Sequence, residues 1–266
     1  MTNPTAVGGA TQIPVGTGSK ATRVIGVLAL VLGAATLAFG LVISPPEITQ
    51  GDAVRLFYVH VPAAMMSLYV AFSITFVGSI IHLRNGSKFW DLFAGASAEV
   101  GVVFLGLTLI TGMLWGKPTW GAYWTWDPRL TSTAVSMILY LGYLVVRRLE
   151  MDPVARSRRA AVIGIVSFAN LIIVRYSVQW WRSLHQTSTL DPRDTQISGL
   201  MYFSWFLGTL FALAAFAWLV MHRFRVAWME DQLDAHHLDT ALAERRAERP
   251  ADGDTGGATK LQPGGA

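Results

Sequence analysis

Six long apolar runs, separated by short polar connections, set the pattern of this chain. They cover residues 24–43, 61–81, 92–114, 130–146, 160–178 and 199–221, and only Glu99 and Arg175 interrupt them with charge. Each is close to the roughly 20 residues that span a bilayer as a helix. Ser44-Pro45-Pro46 closes the first run, because proline cannot continue the hydrogen-bond ladder. That run is too long for a signal-peptide core and no small-residue cleavage site follows it, so it is expected to remain as a helix. The pattern predicts an all-α, polytopic membrane protein with six transmembrane helices. Residues 1–23 are expected to form a flexible cytoplasmic tail and 24–225 the membrane domain. Residues 226–266 are expected to form a cytoplasmic charged helix and a disordered Gly/Pro/Asp tail.

Composition agrees: hydrophobic residues make up 52% and charged residues 14%, which excludes an ordinary soluble domain. The net charge of +4 does not point to nucleic acid, since the basic residues are scattered beside the apolar runs instead of forming one stripe. They set orientation instead. Lys20, Arg23, Arg84, Lys88, Arg147, Arg148, Arg156, Arg158, Arg159, Arg223 and Arg225 flank one side; Arg55, Lys117, Arg129, Arg182 and Arg193 flank the other. The positive-inside rule then places both termini in the cytoplasm. The chain has no cysteine, which removes disulfides, thiolate metal sites, dithiol redox chemistry and covalent heme attachment through C-x-x-C-H. No nucleotide-binding P-loop is present, so an ATP-driven step would belong to another subunit.

One outward connection stands apart. Residues 115–131 carry Trp115, Trp120, Trp124 and Trp126 together with Tyr123, Lys117 and Arg129. Tryptophan combines a broad apolar face with a single N–H donor, so this cluster makes a surface suited to a flat, greasy ligand with polar edges. A plain interfacial aromatic belt accounts for any one of these residues, but less well for the whole stretch. Asp127-Pro128 reads as an N-cap followed by a first-turn proline, starting the fourth span, with a further possible role for Asp127 in orienting Trp126.

Two histidines reach the same side. His60 lies at the outer end of the second span and His185 just past the outer end of the fifth. Neutral imidazole is a preferred axial ligand for heme iron, and two from separate segments can clamp a porphyrin from opposite faces. Its propionates need fixed cations near the water line, for which Arg129 and Arg55 are the leading candidates, with Arg182 and Lys117 behind them. His82 and His222 lie at inner helix ends, where they can cap carbonyls or snorkel; His236 and His237 lie on the charged tail. Glu99 is a candidate for a polar contact between helices or with a partner subunit, Arg175 is close enough to the surface to snorkel, and Asp91 belongs at the inner boundary.

Residues 115–132 resemble the tryptophan-rich WWD signature of the heme-handling proteins of cytochrome c maturation. The match is to the heme exporter protein C (CcmC) family, whose flanking histidine segments resemble residues 57–64 and 180–186. Tyr123 stands where many relatives have Trp, and Met65-Met66 replaces a stretch that often holds one; both keep bulk. The resemblance implies a non-enzymatic, multi-pass protein of the cytoplasmic (inner) membrane that binds heme b on the periplasmic side. His60 and His185 would be axial ligands and Trp115, Trp120, Trp124 and Trp126 the platform. It implies presentation of heme to the heme chaperone CcmE, with CcmD and the ABC-transporter subunits CcmA and CcmB as companions. A membrane bis-histidine cytochrome that exchanges electrons with quinol is the alternative. It requires a second ligand pair toward the other leaflet, and the inner histidines make no convincing one.

Overall fold

The computed structural model describes residues 16–185, 190–191, 194–195, 197 and 199–247. Residues 1–15, Arg193 and residues 248–266, which carry the expected tails and one outer cation, lie outside these, as does Gln186 of the second histidine segment. Six helices are long and apolar enough to cross a membrane. They are α1 (Lys20–Ile43), α2 (Asp52–Asn85), α3 (Lys88–Trp120), α4 (Pro128–Val146), α5 (Pro153–Trp180) and α6 (Gly199–Ala247). A short antiparallel hairpin, β1 (Leu190–Asp191) with β2 (Asp194–Thr195), lies between α5 and α6. Gly16–Ala227 forms one compact unit; the stretch of α6 from Trp228 onward belongs to a second and is rich in charge.

Hydrophobicity cannot hold helices together inside lipid, so close packing of small residues and interhelical hydrogen bonds take its place. The seam between α2 and α3 uses both. A Cβ on Gly101 would lie 2.7 Å from Ala71 Cβ, and one on Gly78 would lie 3.0 Å from Ala94 Cβ. Thr75 Oγ1 donates to Ala94 O, and Ser97 Oγ donates to Ala71 O at 2.9 Å. At the centre Phe72 stacks on Tyr140 with ring centroids 3.5 Å apart. Large side chains such as Leu30, Val42 and Ile138 point outward, on faces that a bilayer would cover.

Several helices extend beyond the apolar runs. α2 begins at Asp52, nine residues before the expected run, after the left-handed Gly51 (φ +57°), with an Asp52–Arg55 ion pair at 2.9 Å in its first turn. His60 therefore lies within a helix, with Pro62 two residues on. Proline has no N–H to donate, so Pro62 leaves the carbonyl of Tyr58 without its helical partner. Gly208 of α6 passes directly over that carbonyl: a Cβ there would come within 2.3 Å of Tyr58 O. α2 then widens into a π-helical stretch at Met65–Ala71, as α1 does at Leu37–Ile43. α3 likewise continues through Pro118 to Trp120, where Gly121, at φ +79°, adopts the left-handed conformation that caps it. Trp115 and Trp120 are thus helical, and the loop proper is short.

At the other end of the bundle three arginines meet carboxylates. Arg147 holds Asp91 through two bonds, at 2.5 and 3.2 Å. Glu99 receives Arg223 of α6 and Arg148 beyond α4, and so is a contact between helices. His82 Nδ1 reaches Ser87 O at 3.0 Å, a helix-end role.

The α2–α6 crossing yields a direct test. Gly208→Val places a branched side chain against the Tyr58 carbonyl, and overpacking of this kind costs about 1–3 kcal/mol. The variant is expected to unfold at a lower temperature in detergent, and an unchanged midpoint would contradict the close approach.

Candidate functional site

The histidine on α2 is oriented by α3. His60 Nδ1 lies 3.1 Å from Thr111 Oγ1, whose own hydroxyl donates to Leu107 O at 2.7 Å. A hydroxyl has one proton, so toward His60 it accepts and the imidazole must carry hydrogen on Nδ1. Nε2 then keeps its lone pair. Gly112 makes room for the ring, since a Cβ there would sit 2.9 Å from His60 Cε1. Trp115 meets the ring edge-to-face at 5.6 Å and donates its indole N–H to Gln50 Oε1 at 2.8 Å.

The second histidine is oriented by Asp127. His185 Nδ1 lies 3.2 Å from Asp127 Oδ1, and a carboxylate only accepts, so this imidazole also carries hydrogen on Nδ1. The carboxylate is buried and fully used. Oδ1 also takes the backbone N–H groups of Arg129 and Leu130, capping α4, while Oδ2 takes Ser183 Oγ and Leu184 N, both at 2.7 Å. Burial pushes the Asp127 carboxyl up, but these donors outweigh it and hold the group below the usual carboxylate range. His185 goes the other way: burial and the nearby Arg129 charge outweigh Asp127 and bring it down to about 4. At neutral pH it is a neutral imidazole beside an ionised carboxylate. That is the carboxylate–histidine arrangement found behind metal-ligating imidazoles.

Trp120 lies edge-on to His185 at 4.7 Å, and the two histidines are close enough to interact electrostatically. His60, His185, Trp115, Trp120 and Asp127 are therefore gathered at one end of the bundle. Trp124 and Trp126 pack on each other at 6.0 Å, and Trp126 is 83% exposed. It makes no hydrogen bond to Asp127, whose oxygens turn toward His185 instead. Lys117 reaches Gly121 O and the face of Tyr123. Arg55 is committed to Asp52 and to the carbonyls of Leu41 and Gly40 at the end of α1. Arg129 makes no side-chain hydrogen bond among the described residues.

Thr111, Gly112 and Ser183 belong to this site; no motif marks the first two, and Ser183 lies in the second histidine segment without having been singled out. Thr111 is four residues before Trp115 and so shares its helix face, the one signal that could have pointed to it. Among the described residues no three His, Asp or Glu side chains gather into a metal-holding group. Two imidazoles alone suit a metal that brings its own equatorial ligands, as porphyrin iron does.

The family described as heme exporter protein C matches residues 10–239. The chain is 40% identical over 167 residues to a heme exporter protein C of Bradyrhizobium diazoefficiens, covering 60% of this chain and 62% of that protein. It is 38% identical over 159 residues to the Escherichia coli heme exporter protein C, covering 58% and 64%. Both alignments span less than two thirds of the relative. With the Haemophilus influenzae protein of the same description, identity is 31% over 205 residues, 77% of this chain and 83% of that one.

Titration of His185 tests the burial and the hydrogen bonding together. In the heme-free protein its imidazole is expected to protonate near pH 4, against about 6.5 for an ordinary histidine. The unfolded chain binds that proton first, so His185 destabilises the fold progressively as pH falls from about 6.5 toward 4. Imidazole nitrogen NMR reads this directly, and a His185 midpoint near 6.5 would contradict it. His185→Gln is expected to flatten the stability–pH curve in that window.

Proposed function

The chain belongs to the heme exporter protein C family, and we propose that it holds heme b between His60 and His185 on the extracytoplasmic face of the cytoplasmic membrane. The reading continues to presentation of that heme to the chaperone CcmE, with CcmD, CcmA and CcmB as companions. The observation that carries it is the matched pair of imidazoles: each has Nδ1 committed to an acceptor, leaving Nε2 as the ligating atom. Axial imidazoles supply the coordination, and the tetrapyrrole supplies the rest.

The surrounding residues have distinct parts. Trp115 and Trp120 buttress the two imidazoles, and the exposed Trp126, packed on Trp124, offers an aromatic surface for the flat ligand and for the chaperone. Arg129, beside His185, is the cation proposed for a propionate. Arg55 contributes through its position, tying the start of α2 to the end of α1 and thereby setting where His60 stands. Holding and handing over heme requires no covalent step from this chain.

Purified protein carrying His60→Ala and His185→Ala together is expected to lose heme and the absorption spectrum of bis-imidazole ligation, while single variants lose one axial ligand. Full heme content with unchanged ligation in the double variant would rule the assignment out. Orientation has a separate test, because the chain has no cysteine of its own. A single cysteine at Tyr123 should react in intact cells with a membrane-impermeant maleimide, and one at Arg158 only after permeabilisation. The reverse pattern would invert the topology.

A further inference from the structure

Asn170 sets the register of α5 against α4. Its amide donates to Ser132 O and to Ser136 Oγ, both at 2.8 Å. At ~1.5 Å of rise per residue, the five residues from Asn170 to Arg175 climb as far along α5 as the distance along antiparallel α4 from the midpoint of Ser132 and Ser136 to Arg129. The two arginines therefore stand at one level, and their like charges act on each other. Tyr69 of α2 acts on the same guanidinium of Arg129, and Arg129 in turn acts on His185.

What sets this pair apart is that two guanidiniums act on each other beside His185 with no carboxylate bridging either of them. Arg55, Arg147, Arg148 and Arg223 each meet an aspartate or glutamate. Among the described residues, neither Arg129 nor Arg175 forms such a bridge, and Arg175 has only the ring of Tyr176 at 5.6 Å. Asp127 acts on Arg129, but its oxygens are already occupied by five donors. Like charges repel, an anion bound between them offsets that repulsion, and a guanidinium is shaped to take a carboxylate through two parallel bonds.

We infer that Arg129 and Arg175, from the facing ends of α4 and α5, form a two-arginine receptor for the paired propionates of the heme, with the Tyr69 hydroxyl as a further donor. The inference rests on the heme reading above. It assigns Arg175 a binding role, and it makes the site selective for a porphyrin that carries free carboxylates. It also fixes the sense in which the ring enters, carboxylate edge toward the α4–α5 side.

The test titrates the full chain in neutral-lipid nanodiscs with hemin and with hemin dimethyl ester, whose carboxylates are masked. The native protein is expected to prefer hemin by about tenfold or more, the range of a charge-assisted hydrogen bond. Arg175→Gln should weaken hemin about tenfold and leave the ester unchanged, with the bis-imidazole spectrum of the bound ester showing that the fold is intact. Arg175→Lys should restore part of the preference. An Arg175→Gln variant that keeps the full preference for hemin, or that weakens both compounds equally, overturns the inference. So does a variant that keeps its preference but loses retention on phosphatidylglycerol vesicles, which would assign Arg175 to a lipid headgroup. Binding of neither compound by the native protein would remove the heme reading itself and this inference with it.

Discussion

One carboxylate, that of Asp127, joins the loop, the start of α4 and the segment after α5 at one end of the bundle. It caps α4, receives the chain as it leaves α5 through Ser183 and Leu184, and orients the imidazole of His185. A buried charge is tolerated only where donors surround it, and here five do. The same donors keep it ionised and thus able to hold Nδ1–H. Replace it and the fourth helix loses its cap, the segment after the fifth loses its anchor, and His185 loses its tautomer together.

The other histidine depends on helix packing inside lipid. His60 stands on a helix that contains a proline, and Gly208 of α6 comes close over the carbonyl that the proline leaves unpaired. Gly112 on α3 then gives the imidazole its space, and Thr111 gives it a partner. Small residues here allow two backbones and a ring to approach closely, and a hydroxyl sets the ring's orientation once they do. The two halves of the site are built differently: one by a charge on a loop, the other by steric fit between helices.

Charge is distributed just as unevenly along the bundle. Asp91 pairs with Arg147, and Glu99 with both Arg148 and Arg223, at one end, which ties α3 to the ends of α4 and α6. At the other end Asp127 is spent on structure, and Arg129 and Arg175 face each other without a carboxylate between them. Those pairs with Asp91 and Glu99 serve packing. Two guanidiniums with no bridging carboxylate beside His185 are the charge feature of the other end.

The six spans, the N-cap at Asp127 and the grouping of His60, His185 and the tryptophans on one side follow from the order of residues alone. Hydropathy and capping act over a few neighbouring positions, so a linear reading captures them. Helix ends were less legible: the chain turns helical at Asp52, after the left-handed Gly51, and stays helical through Pro118 to the left-handed Gly121, limits that backbone conformation sets instead of apolar content. What only the tertiary structure decided is which nitrogen each imidazole offers and which arginines meet a carboxylate. His60 takes its partner 51 residues away and His185 takes its partner 58 residues away. Such pairings arise when helices pack, and no local pattern encodes them.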